Sequence, residues 1–100
     1  MARIKAASAG ELRAGESKVV ETEAGKIALF NVGGKFFATA NACLHKGGPL
    51  NEGELSENIV TCPWHGWQYD VSTGDNLTNR SRPLKTHKVV VEDGDVFLEI

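Results

Sequence analysis

The chain has 100 residues, a formal net charge of −2, and 41% hydrophobic and 24% charged residues. That length suits one domain with an adequate but modest core, and the mild negative charge gives nucleic-acid binding no electrostatic support. No apolar run approaches the ~20 residues of a membrane span, and the start Met1-Ala2-Arg3-Ile4-Lys5 lacks the apolar stretch of a secretory leader. A cytoplasmic monomer is the default expectation.

In chain order, Ala9 to Leu12 is the one helical candidate, a single turn limited by Gly10 within it and Gly15 after it. Lys18-Val19-Val20-Glu21-Thr22 and Lys26 to Val32 are β-branched or apolar runs parted by Gly25, and both read as strands. Gly33-Gly34 predicts a tight hairpin into a strand over Lys35 to Ala40, because adjacent glycines supply positive φ. Ile59-Val60-Thr61 and Trp67 to Val71 are the next strand candidates, followed by the turn signal Ser72-Thr73-Gly74-Asp75. Lys88 to Val91 and Val96 to Ile100 flank Glu92-Asp93-Gly94-Asp95, a second hairpin. There is no repeat, linker or low-complexity tract. The expected fold is all-β, an antiparallel β-sandwich or small barrel built from residues 1–41 and 85–100, with residues of about 42–84 inserted as a lobe.

Chemistry concentrates in two short segments. Both cysteines and two of the three histidines fall in Cys43-Leu44-His45 and Cys62-Pro63-Trp64-His65. Thiol and imidazole ligands suit zinc, copper or iron–sulfur chemistry rather than calcium or magnesium. Three readings use these residues. A 2Fe–2S centre takes two Cys on one iron and two His on the other. A Cys2His2 zinc site accepts the same four ligands, although zinc spacing usually groups Cys with Cys and His with His. A Cys43–Cys62 disulfide leaves the paired histidines and glycine-rich flanks unexplained. His87, outside both segments on a candidate strand, reads as a surface or structural histidine.

The run Cys43-Leu44-His45-Lys46-Gly47-Gly48-Pro49-Leu50 resembles the first cluster loop of Rieske iron–sulfur proteins. Cys62-Pro63-Trp64-His65-Gly66-Trp67-Gln68-Tyr69-Asp70 resembles the second, in its form in ring-hydroxylating oxygenase systems. The resemblance implies one 2Fe–2S cluster with Cys43 and Cys62 on one iron and His45 and His65 on the other. It also implies that the inserted lobe binds this cluster. Arg82-Pro83-Leu84 matches the family's third, proline-bearing loop. Gly47, Gly48 and Gly66 are expected to let backbone approach sulfur, and Pro49, Pro63 and Pro83 to stiffen the loops. Respiratory members carry a further cysteine in each loop, joined as a disulfide; Gly48 and Trp64 stand at those positions here. High-potential members aim a Ser and a Tyr hydroxyl at cluster sulfurs, and the matching positions are Trp67 and Tyr69. Trp67 is expected to pack, and Tyr69 either to pack or to supply a hydrogen bond.

A Rieske oxygenase also needs a mononuclear iron held by two His and a carboxylate. Once His45 and His65 are committed, only His87 remains, and no G-x-G-x-x-G fingerprint is present. The expectation is therefore an electron-transfer component rather than an enzyme, and the resemblance implies a Rieske-type ferredoxin. It would take electrons from a flavin-dependent reductase and pass them to a terminal oxygenase. Docking is expected at a tip bearing His45, Lys46 and His65, with Pro83 and Trp64 at its edge. Glu52, Glu54 and Glu57 either steer a basic partner or are simply solvated. The other readings are a permanent subunit, like the small subunit of assimilatory nitrite reductase, and a structural zinc module.

Overall fold

The computed structural model describes residues 3–23, 25–44, 47–64 and 66–99. Its strands are β1 (Arg3–Ser8), β2 (Ser17–Thr22), β3 (Gly25–Val32), β4 (Lys35–Ala40), β5 (Glu54–Ser56), β6 (Ile59–Thr61), β7 (Gln68–Asp70), β8 (Thr86–Glu92) and β9 (Asp95–Glu99). They form a six-stranded sheet, in the order β1-β9-β8-β4-β3-β2, and a three-stranded sheet, β5-β6-β7. Every pairing is antiparallel. The fold is all-β, as the sequence suggests. Among the described residues the only helical structure is two 3-10 turns, Ala9–Glu11 and Leu50–Glu52.

Turn chemistry sets the register. The β3–β4 turn has Gly33 at φ 59° and Gly34 at φ 96°, and the β8–β9 turn has Asp93 at φ 51° and Gly94 at φ 78°. Positive φ at both central residues matches the twist of the flanking strands, which is why these two hairpins are tight. The six-stranded sheet curls until its edges nearly meet. Ala6 is an extra residue in β1, since Lys5 pairs with Phe97 and Ala7 with Val96. Its carbonyl accepts a hydrogen bond from Lys18 Nζ on β2 at 3.0 Å, which bridges the two edges.

Strand β3 serves two cores because strand side chains alternate between faces. Ile27 and Leu29 pack with Ala6, Ala7, Leu12, Ala38, Val96 and Leu98 inside the curled sheet. Ala28 and Phe30, on the other face, pack with Leu50, Val60, Tyr69, Val71 and Leu84 and with both cysteines. Each fully buried large side chain contributes ~1.5–3 kcal/mol, so Phe30 and Leu29 tie both cores to one strand.

Four elements differ from the sequence expectation. Arg3–Ser8 has Ile4 as its only strong β-former, and it becomes a strand by pairing from Arg3 with Glu99 to Ser8 with Asp95. Glu54–Ser56 is three residues long and is held by β6. Strand β7 runs from Gln68 to Asp70 rather than from Trp67, and the Trp67 carbonyl accepts the Cys62 N–H at 2.8 Å to close the loop between β6 and β7. The helical candidate condenses to the 3-10 turn, with the Glu11 carboxylate accepting the Ser8 N–H at 2.9 Å.

Candidate metal centre

The two cysteine loops share one hydrogen-bond frame. In the first, the Cys43 N–H donates to the Gly48 carbonyl at 2.9 Å and the Gly47 N–H donates back to the Cys43 carbonyl at 2.7 Å. In the second, the Cys62 N–H donates to the Trp67 carbonyl at 2.8 Å and the Gly66 N–H returns to the Cys62 carbonyl at 3.1 Å. Gly47 and Gly66 sit at the same offset from their cysteines, with φ of 76° and 77°. Each loop therefore turns tightly on a left-handed glycine while its cysteine stays fixed.

Different elements hold the loops in place. Asn41, buried at the end of β4, pins both ends of the first loop. Its N–H donates to the Lys26 carbonyl at 3.1 Å, its carbonyl accepts the Leu50 N–H at 2.7 Å, and its Oδ1 accepts the Asn51 N–H at 2.8 Å. The second loop connects β6 to β7, which pair from Ile59 with Asp70 to Thr61 with Gln68. The third segment, Arg82-Pro83-Leu84, is tied down from within. The Leu84 N–H donates to the Gly74 carbonyl at 2.7 Å, and Asn76 Nδ2 donates to the Arg82 carbonyl at 3.0 Å. Gly74 has φ +85°, and a Cβ there would collide with the Leu84 carbonyl, so this position admits only glycine. Leu84 is buried in the same core as both cysteines, while Pro83 is exposed.

Cys43 and Cys62 are 3% and 2% exposed and are not joined by a disulfide. The loops meet at Gly48, where a Cβ would stand 2.9 Å from Cys62 Sγ. Tyr69, fully buried on β7, places its Oη 3.2 Å from Cys43 Sγ and accepts the Leu44 N–H at 3.0 Å. Since Leu44 occupies an acceptor site on that oxygen, the phenol proton is available to the Cys43 sulfur. Burial, and then the contact with Cys43, push the Tyr69 hydroxyl well above the ordinary phenol range, so it keeps its proton. Two buried sulfurs on facing loops, with a hydroxyl within hydrogen-bond distance of one of them, suit a thiolate-bound metal group. Uncompensated thiolates buried this deeply are costly.

The other expected ligands, His45 and His65, and the expected docking residue Lys46 lie outside the described residues. Trp67 is half-buried against the core, whereas Trp64 is 57% exposed. His87 lies on β8, paired with Ala38 of β4. Glu52, Glu54 and Glu57 are exposed. Sequence reasoning missed Asn41 and Asn76. Their signal is weak: a buried Asn beside a ligand loop, or following a Gly-Asp turn, differs little from any loop Asn until its partners are known. Among the described residues no helix is long and apolar enough to cross a membrane.

A family model for the Rieske [2Fe-2S] domain matches residues 2–88. A 3-phenylpropionate/cinnamic acid dioxygenase ferredoxin subunit from Shigella flexneri serotype 5b (strain 8401) is 37% identical over 102 residues, covering 100% of this chain and 95% of that protein. The same figures hold for the subunit of that name from Escherichia coli (strain K12). Among solved structures, a Sphingomonas yanoikuyae B1 ferredoxin superposes with a TM-score of 0.89 at 30% identity, covering 99% of each chain. A chain from the complex of reduced oxygenase and oxidized ferredoxin in carbazole 1,9a-dioxygenase gives a TM-score of 0.90 at 30% identity, covering 96% of this chain and 91% of that one.

Proposed function

This chain belongs to the Rieske [2Fe-2S] domain family, and from that premise we propose that it is a ferredoxin relaying single electrons from a flavin-dependent reductase to a terminal oxygenase. The observation carrying the proposal is the pair of loops built on the same hydrogen-bond frame, offering two buried thiols, one of them within reach of the Tyr69 hydroxyl. Cys43 and Cys62 would hold one iron of a 2Fe–2S cluster, and His45 and His65 the other, within a lobe of about 42–84 set on residues 1–41 and 85–100. The bound group supplies reversible one-electron chemistry. The chain's own part is to fix the sulfurs in a dry core, aim the Tyr69 hydroxyl at Cys43 and leave an approach for a partner near Trp64 and Pro83. Relatives named as dioxygenase ferredoxin subunits, and a solved complex of oxygenase with ferredoxin, support the oxygenase as the acceptor. Contact with either partner is brief and small, at or below the ~1,200 Å² of weak redox encounters. The same reading makes the protein a monomeric cytoplasmic carrier with no substrate chemistry of its own.

An EPR spectrum of the dithionite-reduced protein tests this reading, with a Rieske-type signal expected. His45→Ala and His65→Ala should abolish that signal, since nitrogen ligands on one iron define the centre. Cys43→Ser and Cys62→Ser should lose the iron altogether. A native signal surviving any of these four changes removes that residue from the ligand set, and a colourless zinc protein removes the function.

A further inference from the structure

Gly48 is buried although it lies in a surface loop, and its φ is not in the left-handed region. Space, not backbone conformation, therefore requires glycine. A Cβ at this position would stand 2.9 Å from Cys62 Sγ and 3.0 Å from both Cγ and Cδ2 of Trp64. The indole of Trp64 thus lies across the backbone of the opposite loop, next to the sulfur of Cys62. Its outer side faces solvent, since the residue is 57% exposed, yet Cys62 is only 2% exposed although Pro63, Trp64 and Gly66 around it are all exposed.

We propose that Trp64 is a positioning residue: laid across Gly48, its ring clasps the second loop to the first and keeps water from the Cys62 sulfur. The inference rests on Cys62 being a metal ligand. The two residues occupy the positions where, by resemblance, other Rieske proteins join their loops covalently. Here an aromatic contact takes that place, and it requires the facing residue to lack a side chain. Aromatic rings supply large apolar contact area from few rotatable bonds. Reduction of a centre with two thiolates and two neutral imidazoles adds a negative charge, which water near the sulfur stabilises. Excluding water therefore holds the potential down, and the clasp slows the loop opening that exposes iron.

The test uses the holo-protein with Trp64→Ala, Trp64→Phe and Gly48→Ala. Two quantities are read: the midpoint potential by voltammetry, and the rate of bleaching by an excess of a ferrous chelator under reducing conditions. Trp64→Ala should bleach on the order of tenfold faster, as for losing one aromatic contact, and its midpoint should rise. Trp64→Phe should restore most of both, because a ring still covers Gly48. Gly48→Ala should bleach faster by displacing the ring; if it does not fold, the two Trp64 variants decide alone. A Trp64→Ala protein with wild-type potential and bleaching rate overturns the proposal, even if electron delivery to the oxygenase falls, since that pattern marks a docking residue only. The wild-type EPR signal separates the two levels: its absence sinks the ligand assignment, whereas its presence with unmoved Trp64→Ala values sinks the clasp alone.

Discussion

Tyr69 uses one hydroxyl twice, accepting from the Leu44 N–H and reaching the Cys43 sulfur. A thiolate has no proton to give, so with Cys43 bound to metal the phenol must be the donor. A donor aimed at sulfur favours the reduced, more negative state. Hydrogen bonds to charged groups contribute roughly 1.5–3 kcal/mol, which for a one-electron couple at ~59 mV per tenfold corresponds to roughly 50–150 mV. Tyr69→Phe should lower the midpoint by an amount of that order in voltammetry, while the EPR signal persists. Trp67 offers no hydroxyl at the position where high-potential relatives carry Ser. The wild-type midpoint is therefore expected in the lower half of the roughly −150 to +300 mV Rieske range. The sequence placed Tyr69 at the right offset but left open whether its hydroxyl reaches sulfur. That is decided by the pairing of Val60 with Tyr69, which turns the ring into the core, and a register is not written in any single residue.

At the scale of elements, the segment after β7 is the least regular part of the fold and depends on one side chain. Asn76 is 1% exposed; its Oδ1 accepts the Thr78 and Asn79 N–H groups at 3.0 and 2.9 Å, and its Nδ2 holds the Arg82 carbonyl. Asn76→Ala leaves three backbone groups without partners, and urea unfolding should show a loss of roughly 2–4 kcal/mol. Strand β8 carries a separate pH dependence. Burial first, and then the charge of Lys85, hold His87 below its ordinary pKa of 6.5. The folded protein thus binds that proton less readily than the unfolded chain, so this contribution to stability is full above the unfolded pKa and is lost as pH falls through it. His87→Asn should flatten the decline in unfolding free energy between about pH 7 and 5, compared with wild type in parallel titrations. The hairpins at Gly33-Gly34 and Asp93-Gly94 were legible because their turn residues act locally. Strands β1 and β5 were not, because Arg3–Ser8 and Glu54–Ser56 take their form from partners distant in sequence, or too short a run to show a period.

The molecule as a whole has two cores divided by one strand. The core inside the six-stranded sheet contains no cysteine, whereas the other includes both. Metal binding is coupled to folding where the site does not pre-exist in the unfolded chain. In the apo-protein, amide exchange from about Ala42 to Pro83 should therefore become fast, while β1 to β4, β8 and β9 keep their protection. Equal protection of the loops with and without iron would contradict this.

Strand β3 then has a consequence for how the protein is made. Its outer face, Ala28 and Phe30 with Val32 and Phe37 beside them, packs among the described residues into the core that holds the cysteines. A chain synthesised without iron would fold its curled sheet and display that apolar strip to its surroundings, a surface of the kind chaperones and proteases recognise. The yield of soluble product in a cell should then follow iron supply and cluster assembly more closely than it follows transcript level. The strand that joins the two halves would make metal nutrition a form of quality control.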